Sequence, residues 1–292
     1  MKKLLNISDI NKNDFFEIIN HAKELSSSYE SCLSGKQIGL IFEKNSTRTR
    51  LSFQVGINQL GGNAIDIKFD ELNLNRFESF EDTFEIMSCY LDCIVFRTSN
   101  HSKLDLAFKY FKKPIINALS DISHPCQAIS DLYTLNEHFG RMKDLNIVWI
   151  GDVNNVLFSL VEVCNFLDNV SIDIITNQNL YEVNKATYSK FKNINFYFDL
   201  MDILLNNADC IMTDVFTSMN DKEDKEALLQ KFQVNDKLMA KTKDSAVFMH
   251  CLPAKIDSEV TSEVIKGKKS IVVKQAENRL HAQRGILKWL NI

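Results

Sequence analysis

The feature that most constrains the fold is the regular alternation of short apolar, β-branched runs with stretches of helical periodicity. Helical stretches such as "DFFEIINHAKEL" and "AISDLYTLNEHF" carry apolar residues three and four positions apart. Repeated strand–helix order predicts parallel sheets that are covered by helices on both faces. The predicted strands are "QIGLIF" (37–42), "AIDI" (64–67), "CIVF" (93–96), "PIIN" (114–117), "NIVWI" (146–150), "SIDII" (171–175), "DCIMT" (209–213), "AVFMH" (246–250) and "SIVV" (270–273).

Nine strands predict two sheets rather than one. We therefore expect an α/β protein of two doubly wound domains, each a mostly parallel sheet flanked by helices, joined by interdomain helices. No Gly/Pro-rich linker marks the boundary, but "GRMKDLN" (140–146) restarts the strand–helix pattern. We place one domain at 1–138 and the other at 139–275. A final helix is predicted at about 276–289, and we expect this C-terminal segment, through residue 292, to pack on the first domain.

Charge and cysteine usage exclude several classes of protein. The chain has 34 basic and 38 acidic residues, a net charge of −4, which argues against broad nucleic-acid binding. Its seven cysteines are odd in number and scattered without a CxxC pair, so we expect neither a disulfide framework nor a zinc site. We expect a cytoplasmic location instead. The N-terminus reads as neither a signal nor a transit peptide, and no window approaches ~20 uninterrupted apolar residues, so we expect no membrane association.

The stretch "NSTRTR" (45–50) follows the first predicted strand and directly precedes a helical pattern. The first turn of a helix has unpaired N–H groups and a dipole that favours an anion. Hydroxyl groups add donors, and arginine adds a planar fork that suits phosphate. A simple N-cap with surface arginines is the alternative, but five consecutive polar donors favour an oxyanion site.

Other polar residues follow predicted strands, where ligands bind in open α/β sheets. Arg97 lies at the carboxyl end of the predicted strand 93–96, where it is equally suited to binding a ligand and to forming a salt bridge. In "HPCQ", His124 and Gln127 share a face of a first helical turn, where they either bind a carbonyl and an amide or cap the helix beside Pro125. Asp214 either pairs with a cationic group of a substrate or is a structural residue of the loop.

Two further motifs each suggest a function that their residues do not support. "WIGDVNN" (149–155) has one glycine where a dinucleotide fingerprint needs three, so nucleotide binding is disfavoured, and Asn154 and Asn155 are caps or ligand contacts. In "MHCLPA", His250 and Cys251 are adjacent on an extended chain and point to opposite faces. A cysteine hydrolase is therefore rejected, and Cys251 is kept as a thiol that lines a site.

Taken in order, STRTR, HPCQ, GDVNN, DVFTSM and HCLP resemble one family, the aspartate/ornithine carbamoyltransferases. HCLP, the paired asparagines after GD, and DxxxSM are similar to the ornithine branch. The matches run from about residue 36 to residue 281, which is nearly the whole chain, and their combination is highly specific.

The resemblance implies a carbamoyl-phosphate site and assigns its residues. The phosphate would lie on the STRTR segment with help from Arg97, while Thr49, Arg97 and His124 polarise the carbonyl oxygen and Gln127 binds the carbamoyl amide. The catalytic residues implied are Arg48, Arg97, His124 and Cys251. The full implied set is Ser46, Thr47, Arg48, Thr49, Asn73, Arg97, His124, Gln127, Cys251, Leu252 and Arg279.

The resemblance also implies the acceptor and the assembly. L-ornithine would be held through its α-carboxylate and α-amino group, and its unprotonated δ-amine would attack the carbonyl to give L-citrulline and phosphate. No metal or organic cofactor is implied. The implied assembly is a homotrimer or a multiple of trimers, in which a loop from a neighbour enters the site. The implied ornithine-binding residues are Asn155, Asp214, Ser218 and Met219.

Two departures and two alternatives remain. Asn73 stands where the family's glutamine aligns, which weakens that cross-subunit assignment. Asn220 replaces a glycine, but Asn is the non-glycine residue type best able to adopt φ > 0. A sister carbamoyltransferase for putrescine, an acylated ornithine or another amine is the first alternative. A ligand without a free α-amino group would leave Asp214 unpaired, which is costly. Aspartate as acceptor is disfavoured because its site would need more cations. The second alternative, a non-catalytic anion-binding paralogue, conflicts with the otherwise intact set of polar residues.

Overall fold

A computed structural model describes residues 2–28, 30–75, 77–218, 221 and 223–292. The chain divides into two compact units. The first comprises Met1–Tyr133 with Asn278–Ile292, and the second comprises Thr134–Glu277. Each unit contains one parallel sheet flanked by helices, which confirms the predicted fold class.

The first unit contains a four-stranded parallel sheet with the strand order β2-β1-β3-β4. Its strands are β1 (Gln37–Phe42), β2 (Asn63–Lys68), β3 (Cys93–Arg97) and β4 (Ile115–Leu119). Its helices are α1 (Lys12–Ser26), α2 (Arg48–Gln59), α3 (Phe80–Tyr90), α4 (His101–Phe111), the first part of α5 (Pro125–Phe139) and the end of α12 (Val272–Leu290), with 3₁₀ turns at Ile7–Asp9, Phe69–Glu71 and Asn73–Asn75.

The second unit contains a five-stranded parallel sheet with the order β7-β6-β5-β8-β9. Its strands are β5 (Leu145–Ile150), β6 (Val170–Ile175), β7 (Ile194–Tyr197), β8 (Cys210–Thr213) and β9 (Val247–His250). The helices that lie wholly within it are α6 (Asn155–Cys164), α7 (Gln178–Tyr188), α8 (Asp202–Asn207), α9 (Glu226–Leu229), α10 (Asp236–Met239) and α11 (Ser262–Ile265), with a 3₁₀ turn at Gln230–Phe232.

The central strands are continuous apolar runs because both of their faces are covered. All five residues of β3 are buried, and so are all four of β8. The first core packs Ile94, Phe96 and Phe84 together with Leu104 of α4, and the second packs residues such as Phe216, Phe232 and Phe248. These two cores hold the carboxyl ends of the strands in fixed positions, and the polar motifs begin there.

Each sheet has a switch point, where the order of the strands reverses. In the first unit it lies between β1 and β3, whose last residues Phe42 and Arg97 are register partners. In the second unit it lies between β5 and β8. Ligands of open α/β sheets bind in the crevice outside the carboxyl ends of the strands at such a point. The fold therefore provides one candidate site in each unit.

One predicted strand is wrong, and one observed strand was not predicted. The run 270–273 is not a strand: Ser270 makes an isolated bridge to Phe248, and α12 begins at Val272, four residues before the predicted start. The β-branched residues fit a helix there because Val272 packs into the core while Val273 is 78% exposed. The strand β7 was missed because it is a short edge strand of four residues. Among the described residues, no helix combines the length and the apolar character that crossing a membrane requires.

Candidate active site

The switch point of the first unit is held together by Glu43, which directly follows β1. Its N–H donates to the carbonyl of Arg97 (3.0 Å), and its carboxylate accepts from Thr98 Oγ1 (2.6 Å) and from Lys103 Nζ (2.6 Å). Lys103 also balances the charge of this carboxylate, whose side chain is only 8% exposed. The ends of β1 and β3 are thus fastened side by side, which fixes the backbone from which Arg97 projects.

Arg97 itself is buried and ends β3 at an irregularity. The pairing of β3 with β4 shifts register between Phe96 and Arg97. Such a bulge re-aims the side chain that follows it and is over-represented beside active sites. The predicted placement of Arg97 at the ligand-binding edge agrees with this geometry.

The STRTR segment forms the start of α2, as predicted. Thr47 occupies the N-cap position, but its side chain makes no capping hydrogen bond, so the simple capping alternative is not supported. Arg48 is half-buried and Thr49 is buried. Arg50 differs from the rest of the run because it is exposed and its Nη1 lies 3.1 Å from Asp66 Oδ2 on the neighbouring strand β2.

A buried polar chain links α2, α5 and α12 within the first unit. Arg279 donates from Nη2 to Thr49 Oγ1 (2.9 Å) and from Nη1 to Gln127 Oε1. Gln127 Nε2 in turn donates to Asp131 Oδ1 (2.8 Å). All four side chains are at most 3% exposed. The structure thus brings together three of the predicted residues, and it adds Asp131, which sequence reasoning missed.

His124 lies beside two arginines in a buried environment. Burial lowers the pKa of His124 well below its ordinary value of 6.5, and the positive charges of Arg279 and Arg97 lower it further. The imidazole is therefore neutral near pH 7. A neutral imidazole N–H is a suitable donor to a carbonyl oxygen, and the ring does not add a third positive charge.

This state of His124 is directly testable. We expect its imidazole resonances not to titrate between about pH 6 and pH 8, because protonation would bring a third cation against Arg279 and Arg97. The measurement is an NMR titration of ¹⁵N-histidine-labelled protein, with the resonances assigned by their loss in His124→Gln. A His124 signal that titrates near pH 6.5 would contradict this electrostatic account.

Three residues organise the switch point of the second unit. Asp214, directly after β8, accepts from Asn154 Nδ2 (2.9 Å) and from Cys251 Sγ (2.9 Å). Asn154 also caps α6, because its Oδ1 accepts from the N–H groups of Val156 and Leu157. Asp214 is 6% exposed, and donors on two sides hold its carboxylate in place.

The glycine turn between β5 and α6 lets these groups approach one another. Gly151 has φ +129, which L side chains rarely adopt, and a Cβ there would lie 3.1 Å from the ring of Phe216. A single glycine is therefore needed for packing against the residues after β8. That need explains the glycine of GDVNN without a dinucleotide.

A lysine clamp, defined here as Lys225 with Asp152 and Asp221, shapes the loop that follows Asp214. Lys225 Nζ lies 2.9 Å from Asp152 Oδ2 and 2.9 Å from Asp221 Oδ1, and Asp221 Oδ2 accepts the N–H of Ser218 (2.6 Å). Burial raises the pKa of Asp152 to about 6 even though Lys225 lowers it. The clamp ties the backbone of Ser218 to the glycine turn.

The HCLP segment forms a tight turn in which His250 and Cys251 have different hydrogen-bond partners, although a ring nitrogen of His250 and the sulfur of Cys251 lie within 4.8 Å of one another. The N–H of Leu252 donates to His250 Nδ1 (2.9 Å), so the ring proton is on Nε2, which faces Glu259 Oε1 at 3.1 Å. Leu252 has φ +56, and Cys251 contacts Asp214 instead. His250 is thus bonded on both nitrogens, and it does not activate Cys251.

One cluster of residues has the composition of a metal site. Ligand atoms of Asp214, His250 and Cys251 lie within 4.8 Å of one another. Both nitrogens of His250 are hydrogen-bonded, and the thiol of Cys251 donates to Asp214. The cluster is satisfied by protein contacts, so we assign it no metal.

The remaining predicted residues are distributed as follows. Ser46 is half-buried beside Thr47 at the start of α2, and Asn155 opens α6 next to its cap. Asn73 is exposed in a 3₁₀ turn, and its predicted contact with a neighbouring subunit stays a prediction. Met219 and Asn220 lie outside the described residues.

Sequence reasoning missed several residues that hold this site in place, namely Glu43, Lys103, Asp131, Asp152, Asp221, Lys225 and Glu259. Only Asp131 carried a usable signal, because it lies four positions after Gln127 on one helical face.

Two parallel sheets with convergent polar groups at their switch points define an α/β protein with two candidate ligand sites. Comparison with known proteins gives the family. Residues 2–137 match the carbamoyl-P binding domain of the aspartate/ornithine carbamoyltransferases, and residues 143–290 match their Asp/Orn binding domain. The chain belongs to the aspartate/ornithine carbamoyltransferase family.

Individual relatives carry the name of the ornithine branch. The ornithine carbamoyltransferase of Archaeoglobus fulgidus is 41% identical over 98% of this chain and 96% of its own, and that of Rhizobium johnstonii is 40% identical over 99% and 97%. Among solved structures, the ornithine carbamoyltransferase from Pyrococcus furiosus is 36% identical with a TM-score of 0.89, over 98% of this chain and 96% of its own. That from Thermus thermophilus is 32% identical with the same TM-score of 0.89, over 100% and 99%.

Proposed function

We propose that the chain is an ornithine carbamoyltransferase, which transfers the carbamoyl group of carbamoyl phosphate to the δ-amine of L-ornithine. The observation that carries this proposal is the buried arginine, Arg279, which joins Thr49 to Gln127 beside a neutral His124. These groups suit a carbonyl and an amide, and the start of α2 suits a phosphate. The named relatives, similar over nearly their whole lengths, support the same activity.

In this proposal the first unit holds carbamoyl phosphate. The phosphate binds Ser46, Thr47 and Arg48 at the start of α2, with Arg97 beside it. Thr49 accepts a hydrogen bond from Arg279, so its own hydroxyl proton is available to the carbonyl oxygen, and the neutral His124 is proposed as a second donor. Donors that are already in place stabilise the charge that develops on this oxygen.

The second unit holds the acceptor. Asp214 pairs with the cationic α-amino group of ornithine, while Asn155, Ser218 and Met219 bind the rest of the amino acid. The δ-amine attacks the carbonyl carbon, a C–N bond forms, and the C–O bond to phosphate breaks with its electron pair leaving on phosphate. The attacking nitrogen, which has become cationic, gives its extra proton to the departing phosphate, and citrulline and phosphate are released. Cys251 and Leu252 line the path of the reacting amine.

A panel of acceptors tests this function against its alternatives. Purified protein is given carbamoyl phosphate with ornithine, putrescine, N-acetylornithine or aspartate, and the carbamoylated products are quantified. We expect ornithine to have the highest kcat/KM, because each of the others lacks one of its groups. N-acetylornithine lacks the free α-amino group that pairs with Asp214, putrescine lacks the α-carboxylate, and aspartate lacks the δ-amine. A preference for putrescine or N-acetylornithine would replace the ornithine assignment and would leave carbamoyl transfer standing.

We further propose a homotrimer or a multiple of trimers, in which the loop around residues 72–79 completes a neighbour's carbamoyl-phosphate site through Asn73. Exposed apolar residues support an interface on the first unit: Leu51 is 52% exposed and Val55, one turn later on α2, is 42% exposed. All seven cysteines are free thiols, which fits the proposed cytoplasmic location.

Light scattering tests the assembly. We expect a mass of about 101 kDa, three times the 33.6-kDa chain, or a multiple of it. Leu51→Lys should lower both the mass and the activity, because it places a charge in the interface. Val183→Lys is the matched control, since Val183 is 82% exposed on the second unit. An active monomer at assay concentration would contradict the proposal.

A further inference from the structure

We propose that Asp131 is a positioning residue that makes the acyl-phosphate site selective for a carbamoyl group, by fixing the orientation of the Gln127 amide. This inference rests on the proposed function, because it assumes that the first unit binds carbamoyl phosphate. It adds to that function the means by which an acyl phosphate bearing an NH₂ group is distinguished from one of the same shape without it.

The first step is the geometry on α5. Asp131 follows Gln127 by four residues, so the two side chains lie on one face of the helix. Gln127 Nε2 lies 2.8 Å from Asp131 Oδ1, and the two residues are 1% and 0% exposed. Both side chains are shielded from bulk solvent, so the neighbouring protein groups set the orientation of the amide.

The second step is that both neighbours of the amide require the same orientation. Arg279 can only donate, and its Nη1 faces Gln127 Oε1. A flipped amide would set N–H against N–H at Arg279 and oxygen against oxygen at Asp131. Each contact would then be repulsive and buried, which is costly. Asp131 and Arg279 therefore hold Gln127 in one state.

The third step concerns what this state presents to a ligand. Oε1 has two lone pairs, of which Arg279 occupies one. The other lone pair accepts from an NH₂ group but offers nothing to a methyl group and repels a carboxylate oxygen. Acetyl phosphate carries a methyl group at this position, and carboxyphosphate carries an oxygen. A site built to bond a substrate N–H rejects an analogue that lacks it.

Without Asp131 this selectivity should weaken. In Asp131→Asn the new side chain offers either an oxygen or an NH₂ to Gln127, so only Arg279 still opposes a flipped amide and the orientation of Oε1 is less strongly fixed. A merely structural role for Asp131 would change the stability of the protein or weaken all ligands alike. A positioning role changes the affinity for one ligand and leaves its methyl analogue unaffected.

The experiment compares three ligands on wild type and on Asp131→Asn. Dissociation constants are measured by calorimetry for fresh carbamoyl phosphate, acetyl phosphate and inorganic phosphate, and melting temperatures are recorded. Leu132→Val is the matched control, because Leu132 is equally buried on the next position of α5 but is apolar. If Asp131→Asn does not fold, Asp131→Ser takes its place, since a hydroxyl also permits both amide orientations.

We expect Asp131→Asn to bind carbamoyl phosphate about tenfold more weakly, which corresponds to the loss of one hydrogen bond. Binding of acetyl phosphate and inorganic phosphate should stay within about twofold, and Leu132→Val should keep the wild-type ratios. Equal weakening of all three ligands, or no change in any of them, would overturn the inference. If wild type formed no citrulline yet showed these binding ratios, the proposed acceptor would fail and the inference about Asp131 would be supported.

Discussion

Replacing Arg48 or Arg97 by alanine is expected to lower kcat/KM for carbamoyl phosphate by about 10²–10³, while the fold is retained. In the proposed mechanism each guanidinium donates to oxygen atoms whose negative charge grows in the transition state, and the loss of one such donor has an effect of this size. Steady-state kinetics with carbamoyl phosphate varied at saturating ornithine measure the effect. Circular dichroism and thermal melting establish that the variants are folded.

Arg50 provides the matched control for this prediction. It belongs to the same run of sequence and to the same helix, but it is exposed and pairs with Asp66 at 3.1 Å. Exposed pairs of this kind contribute little to stability, so Arg50→Ala should have kinetics close to those of wild type. If Arg48→Ala or Arg97→Ala kept the wild-type kcat/KM, the proposed carbamoyl-phosphate site would be wrong.

Replacing Asp214 by asparagine is expected to raise KM for ornithine by about 10- to 100-fold, provided that KM follows affinity. A charge-assisted hydrogen bond to the α-amino group contributes roughly 1.5–3 kcal/mol, which corresponds to one to two decades. The amide of the variant would also lie opposite Asn154 Nδ2, which donates a hydrogen bond to Asp214 in the wild-type protein. KM for carbamoyl phosphate should change little, since its proposed phosphate and amide contacts lie in the first unit.

The control for Asp214 lies at the other end of the same strand. Asp209 immediately precedes β8, is 6% exposed and pairs with Lys243 at 2.8 Å. Asp209→Asn therefore removes a buried carboxylate without touching the carboxyl end of the sheet, and KM for ornithine should stay near the wild-type value. Unchanged ornithine kinetics in Asp214→Asn would remove the basis for assigning ornithine as the acceptor.

Most of the fold could be predicted because central parallel strands are buried on both faces and therefore form continuous apolar runs. The bounds of β1, 37–42, agree with the sequence prediction, and seven other predicted strands overlap an observed one. β7 escaped prediction because an edge strand is only partly covered and needs no such run. The run 270–273 was wrongly predicted to be a strand because β-branched residues also occur in the first turn of a helix with one buried face.

The candidate site was predictable where chemistry is concentrated in one stretch of sequence. STRTR and HPCQ are recognisable as short runs of polar residues, and in the structure Arg279 joins Thr49 of the first to Gln127 of the second. Lys225 could not be found in the same way. It pairs with Asp152, 73 positions earlier in the chain, and no local pattern encodes a contact over that distance. Supporting residues of this kind become visible only when the packing is known.

In the proposed reaction the carbamoyl group moves from phosphate to the δ-nitrogen of ornithine. The most direct measurement uses carbamoyl phosphate labelled with ¹³C at the carbonyl carbon, with purified protein and ornithine, and follows both products by NMR. We expect the ureido carbon of citrulline to become labelled at the same rate as phosphate is released, in equal amounts. Release of phosphate without labelled citrulline would contradict the account.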